Sequence, residues 1–225
     1  MSDSSGKGIG QSISDFFASL TKEPAEEMGG MLADRVRFWR VKHAVRLREK
    51  LDEFLLQRGV TNRRCLPLKL TIAILDGATM EDDEELHTEW AKLLANAVDP
   101  SFTGDVRVAY ADILRSLNAI DARLLHEIYN VASQVRDTEI HRAQVNLIEI
   151  ANRIEASKAM TELSRECLLR QRCITLAPKM FQPGQYISHG GDDPMWVTPP
   201  PQQIGVLDHV VVLTQLGAEF VRACN

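Results

Sequence analysis

DHVVVLTQLGAEFVRAC, residues 208–224, decides the fold class because it breaks the pattern of everything before it. Val210, Val211, Val212 and Leu213 have the β-branched density of a strand. Residues 215–224, QLGAEFVRAC, then read as a short closing helix. Upstream, Ile174, Thr175 and Leu176 form a second strand-like edge, and the two edges predict a small β-hairpin. Before residue 174 almost every segment has a helical period. The chain is therefore expected to be mainly α, an N-terminal helical bundle followed by a C-terminal module. That module's order of helices, strand, long loop, returning strand and final helix is the plan of a winged helix. Helices over 105–117 and 121–133 would lead in, and 157–172 would take the recognition-helix position.

Between the two strand edges the composition changes. Six of the nine prolines fall between residues 178 and 201, with Gly184, Gly190 and Gly191 among them. A loop over 177–205 is expected, and its length for a compact domain marks it as mobile or functional. The expected organisation is a flexible or short amphipathic segment at 1–22, a helical domain at 23–104, and a winged-helix-like module at 105–225.

The helices can be placed one by one. Ile9, Ile13, Phe16, Phe17 and Leu20 share one face of a short helix. Pro24 with Glu26 and Glu27 suits a helix start, since the carboxylates meet the positive end of the dipole. That helix is expected to run to Arg58 and stop at Gly59, with Gly29-Gly30 bending it or admitting another backbone. LPLKLTIAIL (66–75) reads as a buried helix. Thr79 offers an N-cap before the acidic turn Glu81-Asp82-Asp83. Leu86, Trp90, Leu93, Leu94 and Ala97 line the next helix, which Pro100 ends. The same spacing returns at Val106, Tyr110, Ile113, Leu114 and Leu117, and helices follow over 121–133, 138–154 and 157–172. Trp39 and Trp90 read as packing anchors. No residue identities recur at a fixed period, so the similar spacing is that of helices sharing a core.

Charge is unevenly distributed. The whole chain is at −5, yet DRVRFWRVKHAVRLREK (34–50) holds seven Lys/Arg. Residues 34–64 hold ten Lys/Arg and four Asp/Glu, whereas residues 76–89 hold seven Asp/Glu and no Lys/Arg. At about 100° per residue, Arg35, Lys42, Arg46 and Lys50 form one stripe, and Val36, Ala44, Leu47, Leu51, Phe54 and Leu55 lie opposite. The stripe is a candidate interaction surface for protein, for a second copy, or for an anionic membrane; nucleic-acid phosphates are less favoured. Read with the acidic segment that follows, the basic stretch is favoured as half of a charge-matched helix pair, within the chain or across an oligomer interface. Replacing Lys42 and Arg46 by Glu is expected to weaken assembly without unfolding the chain. Residues 105–225 hold twelve Lys/Arg against fourteen Asp/Glu. The recognition-helix candidates Lys158, Arg165, Arg170 and Arg172 therefore sit in a net-acidic module, which lacks the usual footprint of DNA binding.

Composition and motifs bound the chemistry. With 44% hydrophobic and 25% charged residues in 225, the chain is an ordinary globular one. It has no apolar run of membrane-spanning length and no signal-peptide pattern near its start. Cys65, Cys167, Cys173 and Cys224 are scattered, as in reduced thiols, so the cytoplasm is the expected compartment, with peripheral membrane attachment as a variant. Histidines 43, 87, 126, 141, 189 and 209 show no ligand spacing. His189 with Asp192 and Asp193 reads as a solvated turn rather than a metal site. Cys224 could be a nucleophile only beside a base that spacing does not reveal. GKGIG near the start lacks the strand and the Lys-Ser/Thr ending of a phosphate loop. No catalytic constellation, cofactor site or metal site is legible.

Three stretches together resemble a known family. They are EPAEEMGGMLADRVRFWRVKH (23–43), the CLPLKL…LDGATMEDDEELHTEWAKLLANAVDP block (65–100) and LTQLGAEFVRAC (213–224). The chain resembles bacterial proteins of the abortive infection alpha type, over most of residues 23–225. The acidic turn leading into W-A-x-L-L-A-N-A is the most specific part, and the Pro/Gly-rich loop is the least family-like. The resemblance implies a largely helical bacterial protein acting in phage defence, where an infected cell halts growth or dies. It supplies no catalytic residues to carry over. The expected function is a non-enzymatic helical interaction protein in phage defence or stress response. A winged-helix DNA-binding regulator is the alternative, and a hydrolase or nuclease a weaker one.

Overall fold

Leu47, Leu51 and Leu55 recur on one face of a helix that runs from Met31 to Gln57 (α1), and all three are buried. The computed structural model describes residues 31–135, 140–177 and 209–225. The expectations for residues 1–30, including the Pro24 helix start and Gly29-Gly30, lie outside these. So do those for residues 178–208, including the proline-rich loop and His189, Asp192 and Asp193.

α1 packs against α2 (Leu68–Met80) and α3 (Glu84–Val98), and α2 packs in turn against α4 (Val108–Ser116). α1 closes with paired bonds from Gly59 N to Leu56 O (3.0 Å) and Val60 N to Leu55 O (2.9 Å), with Gly59 at φ +66°. That is the left-handed C-terminal stop that glycine adopts without steric cost. α2 is buried through Leu70, Ile74, Leu75 and Ala78, as its apolar sequence requires. Gly77 lies so close to Trp90 that an added Cβ would stand 2.2 Å from the indole, so α2 and α3 touch through a glycine.

Thr79 does not cap α3. It is buried in the last turn of α2, where its hydroxyl donates to Asp76 O at 3.2 Å. Asp83 caps instead, its carboxylate accepting from Glu85 N at 2.9 Å and Leu86 N at 3.0 Å. Three extended residues are needed to turn from α2 to α3, which moves the cap four positions on. From Arg35 onward the first buried residue of α1 is His43, so Trp39 (49% exposed), expected as a packing anchor, and Val36 (44%), expected opposite the stripe, both stand outside the core.

α5 (Ala119–Val135) starts with a reciprocal cap: Asn118 Oδ1 accepts from Ile120 N and Asp121 N, and Asp121 accepts from Asn118 N, each at 3.1 Å. The start of the helix expected over 138–154 lies outside the described residues, and its described part is three separate pieces. A 3-10 turn at Ile140–Arg142 leads to strand β1 (Gln144–Asn146), and of residues 140–154 only Leu147–Arg153 (α6) is α-helical. α7 (Lys158–Arg170) follows, then β2 (Ile174–Leu176), β3 (Val210–Leu213) and α8 (Gln215–Ala223).

β3 is the middle strand of a three-stranded antiparallel sheet ordered β1-β3-β2, where a two-stranded hairpin was expected. Val211 faces Val145 on β1 and Leu176 on β2. A helical period also fits residues 144–146, but the backbone of β3 offers them a ladder that a helix cannot use. Asn146 ends the strand and starts α6 by accepting from Ile148 N at 3.0 Å. Thr214 joins sheet to helix. Its hydroxyl donates to Arg172 O (2.6 Å) and accepts from Gly217 N (3.0 Å), capping α8. The buried apolar residues form one cluster from Ala44 to Cys224, crossing residues 104 and 105 without a break.

Candidate interaction surface

The basic segment divides into charges used inside the fold and charges left outside it. Arg46 and Lys50 both pair with Glu84 at the start of α3, and Arg40 pairs with Asp76 on α2. Lys50 also donates to Thr88 Oγ1 at 2.6 Å. Arg63 reaches Asp52 at 2.6 Å. Arg58 bonds Asn96 Oδ1 and the Asn225 carbonyl, and Arg64 donates to Ala97 O and Asn96 O at 3.1 and 3.2 Å. These two guanidiniums meet the carbonyl end of α3, where a helix dipole favours positive charge.

The acidic segment is matched in the same way. Arg115 stands 3.7 Å from Asp76 and Arg123 3.3 Å from Glu85. Lys92 and His126 lie 3.1 and 3.0 Å from Glu89. Burial pushes the Glu89 carboxyl up, but the His126 bond and the charges of His126 and Lys92 outweigh it and leave its pKa lowered. Opposite charges thus meet where α1 and α2, α1 and α3, α2 and α4, and α3 and α5 are neighbours, although exposed pairs add little stability.

Of the stripe, Arg35 and Lys42 remain exposed on α1, with the Lys42 ammonium 5.5 Å from the Trp39 ring centroid. Beside them lie Phe38 (68% exposed) and Val45 (45%), and farther along the same side of α1 Leu56 (81%) is also left in water. The stripe is therefore two surfaces, an inner half committed to α3 and an outer half mixed with apolar residues. Arg46→Glu would set a carboxylate against Glu84, so its effect would report the α1–α3 contact as well as assembly.

The recognition-helix candidates do not share one face. Lys158 and Arg165 line a cleft of about 420 Å³ between α6 and α7, with Ile148, Asn152, Thr161 and Glu162. Arg165 pairs with Glu166 at 2.8 Å. Arg170 lies about 120° around α7 from Lys158. Arg172 is beyond the helix, at φ +58° in the turn that closes it. Met160 (47% exposed) and Leu163 (72%) stand on the outer surface of α7 beside Glu162 and Glu166. The exposed surface of α7 thus mixes apolar side chains with both signs of charge.

The interior holds a pair that sequence spacing did not reveal. His43 and His87 are 44 positions apart, yet their rings stand 5.7 Å apart, and Trp39 stacks on His43 at 5.4 Å. His87 Nε2 donates to the His43 carbonyl at 3.2 Å, which assigns its proton to that nitrogen. Burial, with Arg46 and Lys42 nearby, lowers the pKa of His43 against the pull of Asp82. Burial also takes His87 down to about 4, against the bond to His43. The available signal was that each histidine lies on its helix's apolar face, His43 one turn before Leu47 and His87 beside Leu86.

Burial also governs the thiols. Cys224 is fully buried and its pKa is raised well above the ordinary value, while burial takes Cys173 to about 12. Neither is a thiolate nucleophile in this environment. Among the described residues, no group of three or more His, Cys, Asp or Glu could hold a metal ion, and no helix is long and apolar enough to cross a membrane.

A family model described as abortive infection alpha matches residues 42–224. No curated protein and no solved structure matches the chain.

Proposed function

The chain belongs to the abortive infection alpha family, and from that premise we propose that it is a non-enzymatic interaction protein of a bacterial abortive-infection response. It docks other macromolecules through outer helix faces. The observation that carries this reading is the outer face of α1. Phe38, Val45 and Leu56 stay exposed on a helix whose inner face supplies Leu47, Leu51 and Leu55 to the core. Apolar side chains held in water on a regular element, beside Arg35 and Lys42, have the make-up of a docking surface. The test is phage challenge of bacteria that express the chain. Protection is expected from the wild type and lost in Phe38→Glu at equal protein level and unchanged far-UV ellipticity. Full protection by Phe38→Glu would overturn the role of α1.

A second reading, a winged-helix DNA-binding regulator, draws on the order α5-β1-α6-α7-β2-β3 with its sheet ordered β1-β3-β2. That order resembles a winged-helix plan, and this reading would use α7 as the recognition helix. The mixed face of α7 and the acidic balance of residues 105–225 support protein docking by the same module instead. A salt titration decides it: DNA affinity falling steeply with salt supports the regulator, and no binding at low salt removes it.

A further inference from the structure

We propose that the outer face of α1 pairs with the same face of a second copy of this chain, with the two helices antiparallel. The proposal rests on reading this face as a docking surface, and it adds what docks there. Exposed residues recur along α1 as Phe38, Lys42, Val45, Glu49, Asp52 and Leu56. Their alternating spacing of four and three keeps them in line along the helix, as the seam of a two-helix coiled coil requires. The seam spans about 27 Å at 1.5 Å per residue. The opposite side of α1 is occupied by α2 and α3, and among the described residues this face is left exposed.

The order of charge along the seam selects the partner and its direction. Lys42 precedes the midpoint, and Glu49 and Asp52 follow it. Two parallel copies would stack each of these on its own like charge. Antiparallel copies, with the two-fold axis beside Leu47, set Phe38 against Leu56 of the copy and Lys42 against its Asp52. Val45 then meets the aliphatic stem of Glu49. Sliding the copies by one heptad would place Phe38 against Glu49 in one direction and Glu49 against Asp52 in the other. Orientation and register are thus both specified by like-charge penalties and apolar matching.

An anionic membrane fits this face less well, because Glu49 and Asp52 lie in the same line as the apolar residues and would be repelled by its headgroups. Asp52 pairs within its own chain with Arg63 at 2.6 Å and Arg48 at 3.7 Å. Such exposed pairs are weak enough to exchange for Lys42 of the copy.

Light scattering and sedimentation velocity on the full chain test the arrangement. The wild type is expected at twice the chain mass. Lys42→Asp and Asp52→Lys are each expected to weaken pairing by about tenfold or more, because each sets like charges opposite one another. An equimolar mixture of the two variants, and a chain carrying both substitutions, are expected to pair again. Far-UV ellipticity equal to wild type establishes that each variant is folded. A monomeric wild type, single variants that still pair, or a doubly substituted chain that stays monomeric would each overturn the proposal. A monomeric wild type, together with loss of protection in Phe38→Glu, would remove self-pairing and leave the docking reading standing. Charge swaps that behave as expected while Phe38→Glu protects fully would do the reverse.

Discussion

At the scale of single residues, His43 and His87 are imidazoles buried in the core. Neither ring nitrogen of His43, nor Nδ1 of His87, has a hydrogen-bond partner among the described residues. Both rings are therefore held neutral. An unfolded imidazole takes up its proton below pH 6.5, whereas folded His87 resists until about 4. Between those values the unfolded state binds more protons, so the contribution is fully present above pH 6.5 and is lost as pH falls towards 4. The loss attributable to His87 is about 3 kcal/mol. Urea unfolding at a series of pH values from 7.5 to 4.5 checks it, with His87→Gln as the comparison. The variant's stability is expected to fall less over that range, and parallel curves would refute the assignment. Neither histidine's role was legible beforehand, because helical spacing gives the face of a residue and not the side chain it meets across the core.

At the scale of elements, helix faces were largely readable and helix ends less so. The apolar spacing of Leu86, Trp90, Leu93, Leu94 and Ala97 marked the buried side of α3, and Gly59 marked the stop of α1. The start of α3 was misplaced because Thr79 and Asp83 are both good caps, and the turn geometry chooses between them. Asp83→Ala removes two hydrogen bonds and a favourable charge at the α3 N-terminus. It is expected to cost about 1 kcal/mol, with Asp83→Asn close to wild type. Equal urea midpoints for Asp83→Ala and wild type would exclude this cap. β1 was missed for a different reason. Val145 is buried in either a helix or a strand, and only pairing with Val211 favours the strand.

At the scale of the whole molecule, the first and last parts of the chain are tied together. Asn96 on α3 donates to Ala223 O at 2.9 Å and accepts from Arg58, which also reaches Asn225 O. Asn96→Ala would leave the buried carbonyl and the guanidinium short of a partner, at an expected cost of about 1–3 kcal/mol. Because the core is continuous, tryptophan fluorescence and far-UV ellipticity are expected to follow one coincident unfolding transition, with the Asn96→Ala midpoint lowered. Two separated transitions would show that the segments on either side of residue 104 fold independently. The amino-acid order by itself determined the helical class, the buried face of most helices, the strands β2 and β3, and the family resemblance. All of these depend on periodicity and composition within short windows. Tertiary structure alone decided that Arg46 and Lys50 answer Glu84 while Phe38 and Lys42 stay outside. It also brought His43 to His87 and made residues 144–146 a strand. Those outcomes depend on which distant side chain or backbone is opposite, and local spacing carries no record of that.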